Sequence, residues 1–72
     1  MKELTQEQIV RLYNVVEFGK NEEIEKAYID NNTIETTIRD TKTNTIKSFT
    51  VDFKSDLKML DFVLYGIKLE RD

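Results

Sequence analysis

The stretch from Ile24 to Phe53 constrains this chain most. Within it Ala27 and Ile29, Ile34 and Ile38, and Phe49, Val51 and Phe53 stand at even spacings, so each set can share one face of a half-buried strand. Two of its runs are separated by Asn31-Asn32. Asn enters the left-handed region more readily than most residues, and a two-residue type I′ turn needs positive φ at both central positions. The pair predicts a hairpin in which Asp30 faces Thr33, Ile29 faces Ile34, Ala27 faces Thr36 and Glu25 faces Ile38. Ala27, Ile29, Ile34, Thr36 and Ile38 then share one face.

A second turn falls within Asp40-Thr41-Lys42-Thr43-Asn44. A loop of odd length sets Ile38 opposite Ile46 and turns Phe49, Val51 and Phe53 away from Ile34. A loop from Thr41 to Asn44 sets Ile34 opposite Val51 and Thr36 opposite Phe49 instead. Each large apolar side chain gains roughly 1.5–3 kcal/mol on burial, so three outweigh Ile46 alone. The four-residue loop is therefore expected, with Lys47 on the inner face near the sheet end, its head still in reach of water.

The opposite face then carries Ile24, Lys26, Tyr28, Glu35, Thr37, Arg39, Ile46, Ser48, Thr50 and Asp52. Antiparallel sheets commonly leave one face solvated, and that is the ordinary reading here. The functional reading is a flat recognition surface anchored by Lys26, Tyr28 and Arg39. Residues 21–28 also read two ways. As a helix, Asn21 is an N-cap and Glu22 pairs with Lys26. As a strand from about Glu25, they feed the hairpin, which is the reading adopted.

Helices flank the strands. Thr-Gln-Glu-Gln at 5–8 fits a capping box, with Glu7 in the first turn suiting the helix dipole. Ile9, Leu12, Tyr13 and Val16 form one stripe, and Gly19 is placed to end the helix after Phe18. Ser55 or Asp56 caps a second helix running to about Glu70. There Leu57, Leu60, Val63, Leu64 and Ile67 make one stripe, while Phe62, Tyr65 and Leu69 lie on the other side. A helix apolar on two faces needs a second contact, so Phe62, Tyr65 and Leu69 are the expected interface. Gly66 inside this helix permits close approach at a cost of roughly 1 kcal/mol against Ala. A rival reading lays 62–69 out as a fourth strand with Gly66 at a bulge.

The expected fold is α+β. One domain, 1–72, comprises a three-stranded antiparallel meander (about 25–30, 33–40 and 45–53), with helices at about 5–18 and 55–70 on one face. A chain of 72 residues buries only about 60% of its unfolded surface. It contains no Cys and no His, so disulfides, thiolate sites and the commonest metal ligand are excluded. Self-association is the remaining way to add buried surface, and a homodimer is expected. No metal and no cofactor are expected.

No apolar run approaches the roughly 18 residues a membrane span requires. Met1-Lys2-Glu3-Leu4-Thr5 lacks the charged-then-apolar order of a signal peptide, so a cytoplasmic location is expected. The net charge of −3 argues against a non-specific nucleic-acid binder. Neither Ser48 nor Ser55 sits in a nucleophile elbow, and the two glycines are too far apart for a phosphate loop. The chain reads as non-catalytic.

Three classes of function follow. The first is a protein-binding module, dimeric through Phe62, Tyr65 and Leu69. The second is a nucleic-acid binder using Lys26, Tyr28 and Arg39, although single-strand binders usually offer several stacking rings in a basic groove. The third is an acidic nucleic-acid mimic led by Glu22, Glu23 and Glu25. A small, acidic chain without Pro or Cys has the general compositional profile of phage and mobile-element accessory proteins, including inhibitors of host defence, although no motif ties it to a family; inhibition of a host factor is one expectation for the first class.

Overall fold

A computed structural model describes residues 1–68. The order is β1 (Lys2–Glu3), α1 (Gln6–Val15), β2 (Glu22–Asp30), β3 (Thr33–Asp40), β4 (Thr45–Asp52) and α2 (Leu57–Tyr65). The class is α+β, but the antiparallel sheet has four strands, ordered β1-β2-β3-β4, where three were expected. The extra strand sets Lys2 opposite Ile29 and Glu3 opposite Tyr28. It buries Leu4, whose N–H donates to the Ala27 carbonyl at 2.8 Å. Two residues show no periodicity, so only the burial of Leu4 marks β1.

Both turns set the expected registers. Ile29 faces Ile34 and Ala27 faces Thr36, while Ile34 faces Val51 and Thr36 faces Phe49. The Asn31-Asn32 turn departs from type I′ because, of the pair, only Asn31 has positive φ, 54°. Asp40 organises the next turn, its Oδ1 accepting from the N–H groups of Lys42 and Thr43 at 2.9 and 3.2 Å. Asn44 closes that turn at φ 59°.

β2 begins at Glu22 rather than Glu25, and its register shifts between Ile24 and Lys26. Ile24, not Glu25, therefore faces Ile38. The bulge reverses the expected placement of Ile24 on the outer face. An isoleucine packs against the core where a carboxylate would otherwise lie, and the difference in desolvation explains the irregularity.

The helices are shorter than the sequence suggests. Thr5 caps α1 in a full capping box with Gln8. The helix ends at Val15, and Val16 is already extended at φ −124°. Phe18 instead stacks edge-on between Tyr13 and Phe49, with ring centroids 5.3 and 5.8 Å away. Such aromatic contacts, worth about 0.5–1.5 kcal/mol each, reward leaving the helix early. Gly19 thus ends no helix, and its N–H donates to Glu22 Oε1 at 2.7 Å. Asp56 caps α2 through Met59 N–H at 3.1 Å. Gly66 is not inside α2 but is its left-handed C-cap at φ 70°.

Leu4, Leu12, Ala27, Ile34, Phe53, Leu60 and Val63 form the core between helices and sheet. Phe53 is buried, while Phe49 and Val51 are half-buried on the same face. Buried Thr36 donates its hydroxyl to the Phe49 carbonyl at 2.9 Å. The two helices are joined by Arg11. Its Nε donates to Val63 O at 2.9 Å and its Nη2 to Leu64 O at 3.3 Å. Gln8 Nε2 also donates to Leu64 O, at 3.0 Å.

Candidate functional site

α2 positions the first candidate surface. Leu60 and Val63 are buried, and Met59, Phe62 and Leu64 are half-buried against the core. Leu57, Asp61 and Tyr65 are spaced by four residues and so share the outward side. Leu57 is 52% and Tyr65 70% exposed. Once Gly66 turns the chain, Ile67, 54% exposed, joins Lys58, Asp61 and Lys68 around a shallow hollow of about 350 Å³. The result is an outward side on which exposed Leu57, Tyr65 and Ile67 are interspersed with charges of both signs.

This differs from the expected interface in two respects. Phe62 is half-buried against the core, because α1 and the sheet together cover more of α2 than one stripe. Leu57 and Ile67, expected in the core stripe, are exposed. Leu57 sits at the first helical position and Ile67 beyond the cap, so neither reaches the sheet. Tyr65 is exposed as expected, and Leu69 lies outside the described residues. The rival fourth strand at 62–69 is replaced by helix as far as Tyr65.

The outer sheet face is the second candidate. The register brings Lys26, Tyr28 and Arg39 onto one side. Lys26 is exposed and Tyr28 half-buried. Arg39 Nη2 is engaged by Glu23 Oε1 at 3.1 Å. Glu3, Glu23, Asp30, Glu35 and Asp52 fall on the same face by the same pairing. Carboxylates outnumber cations there, which opposes a phosphate backbone. A shallow hollow of about 390 Å³ crosses it, lined in part by Met1, Tyr28, Glu35, Thr37, Ser48 and Thr50.

The acidic lead-in is divided rather than gathered. Glu22 faces inward and Glu23 outward by strand alternation, with Glu25 at the bulge. Glu22 Oε2 holds Lys47 Nζ at 2.5 Å, while its Oε1 accepts from Gly19. The bond from Lys47, then that from Gly19, keeps the Glu22 carboxyl below its ordinary pKa. Nearby, Phe18, Ile38 and Phe49 floor a hollow of about 260 Å³ rimmed by Glu17, Glu22 and Lys47. A nucleic-acid mimic needs like charges in a row, and this arrangement pairs two of the three with cations.

Among the described residues no group of His, Cys, Asp or Glu has the geometry to hold a metal ion. No helix among them is long and apolar enough to cross a membrane. Sequence reasoning missed the exposure of Leu57 and Ile67, whose only signals were their positions at the ends of the stripe. It also missed Arg11, for which local sequence holds no signal, since its acceptors are Val63 and Leu64. No family model matches the chain, and neither a curated protein nor a solved structure is significantly similar to it.

Proposed function

We propose that this chain is a non-catalytic protein-binding module that engages a partner protein through the outward side of α2. The observation that carries this reading is the exposed group Leu57, Tyr65 and Ile67 with Lys58, Asp61 and Lys68 around it. Tyr is favoured at interface cores because one ring contributes large apolar area and a polar tip at low entropic cost. Interspersed charges of both signs add orientation more than affinity. Occlusion of a partner's own surface, the action of a small inhibitor, fits such a patch.

The experiment is affinity capture from the native host with the wild type and with a Leu57→Glu, Tyr65→Glu double variant. Both side chains are exposed, so the variant should keep the wild-type far-ultraviolet circular dichroism. The expected result is a protein captured by the wild type and lost with the variant. Identical captured sets would refute the assignment of α2.

A further inference from the structure

The two edges of the sheet differ in how they meet solvent. On the β2 side, β1 pairs with Tyr28 and Ile29, and Leu4 N–H occupies the Ala27 carbonyl. Further along, β2 is bulged at Glu25, and the Ile24 N–H donates to the Tyr13 hydroxyl. Short strands, bulges and covering side chains are the devices by which proteins blunt a free edge.

β4 has none of these. It runs for 8 residues, pairs with β3 without a register shift and contains neither Gly nor Pro. No strand lies beyond it among the described residues. An inward-pointing charge is the remaining common guard of an edge. Lys47 is the inward-facing charge of β4, opposite Ile38. Its ammonium is held by Glu22 of β2. The two side chains together bridge β3, two strand spacings of about 4.8 Å each, so the Lys47 head points toward β2 and away from the open edge.

The main chain of β4 is phased for a partner. Phe53 N–H donates to the Asn32 carbonyl, so odd-numbered residues of this strand turn their main chain toward β3. Ile46, Ser48, Thr50 and Asp52 turn theirs outward. We infer that this edge docks on β4 of a second copy of the chain, antiparallel, with the two-fold axis at Phe49, so that two four-stranded sheets become one.

The register follows from the residues. An axis at Phe49 pairs Ser48 with Thr50 and Ile46 with Asp52 of the second copy, giving about eight main-chain bonds; an axis at Ser48 or Thr50 gives about six. It also brings the two Phe49 residues together at a closely spaced pair, where aromatic contact adds stability. An axis at Ser48 would instead face Phe49 with Lys47. β4 carries one cation, Lys47, and one anion, Asp52, so the two strands meet without net charge.

The test is the mass of the full chain by light scattering at submillimolar concentration, since a junction of two strands belongs to the weaker class of interfaces. The expected mass is twice 8.5 kDa. Ser48→Lys with Thr50→Lys sets like charges opposite each other twice and should weaken the dimer about tenfold. Ser48→Lys with Thr50→Glu sets opposite charges there and should associate at least as well as the wild type. Both pairs of side chains are exposed, so circular dichroism should report an unchanged fold. A mass of 8.5 kDa at every concentration would overturn the inference. So would a dimer that the like-charge variant leaves intact. The inference is independent of the α2 proposal: Leu57→Glu with Tyr65→Glu should leave the mass unchanged.

Discussion

Replacing Arg11 with Met tests how the two helices are held together. The substitution keeps most of the apolar stem and removes the guanidinium. Two donors are lost, one at 2.9 Å to Val63 O and one at 3.3 Å to Leu64 O. Both acceptors are last-turn carbonyls of α2, which no intrahelical donor satisfies fully. A charged donor contributes about 1.5–3 kcal/mol per good bond. The longer bond is discounted, because Leu64 O also accepts from Gln8 at 3.0 Å. A cation at a helix C-terminus adds about 0.3–1 kcal/mol. The expected loss is therefore about 2–3 kcal/mol. For a domain of this size that lowers Tm by roughly 10–20 °C. Thermal and urea unfolding followed by circular dichroism would measure it. Glu7→Gln is the control. The Glu7 carboxylate lies 3.3 Å from Arg11 but is 82% exposed, so its removal should cost no more than about 0.5 kcal/mol. An Arg11→Met loss no larger than that of Glu7→Gln would refute the reasoning.

Two further outcomes follow from local geometry. Gly66→Ala should cost about 1–2 kcal/mol, because φ at this cap is 70° and the left-handed region disfavours a Cβ. The nearest atom to that Cβ would be Arg11 Nη1 at 3.5 Å, ordinary contact, so Gly66→Asn should recover part of the loss; equal urea midpoints for all three proteins would exclude the cap. The lowered pKa of Glu22 contributes stability above its ordinary value, and that stability is lost as the pH falls through the lowered value. The stability gap between wild type and Glu22→Gln should therefore narrow from neutral pH into acid, and a gap constant with pH would argue against the Lys47 pairing.

The meander and its registers were legible in the chain because they depend on near neighbours. Asn31-Asn32 sets one register and the loop from Thr41 to Asn44 the other. The rows Ile34, Thr36, Ile38 and Phe49, Val51, Phe53 then have only one way to share a face. The capping box at Thr5 is equally local, since its partner is Gln8. The candidate surface was less legible. Tyr65 could be placed outside α2 by its angle alone. Phe62 could not, because how much of α2 is covered depends on α1 and the sheet together.

The sequence by itself determined the pairing of the three long strands, the place of the two turns, the inward face of β3 and β4 and the start of each helix. Tertiary structure decided the rest: β1, the bulge at Glu25, the early end of α1 and the Arg11 bonds to α2. Each of these exchanges a local preference for desolvation shared with residues far along the chain. Leu4 is buried once its N–H reaches Ala27, Phe18 leaves the helix for Phe49, and Arg11 bonds carbonyls more than 50 positions away. Such gains exist only after the chain has closed on itself, so no window of neighbouring residues contains them.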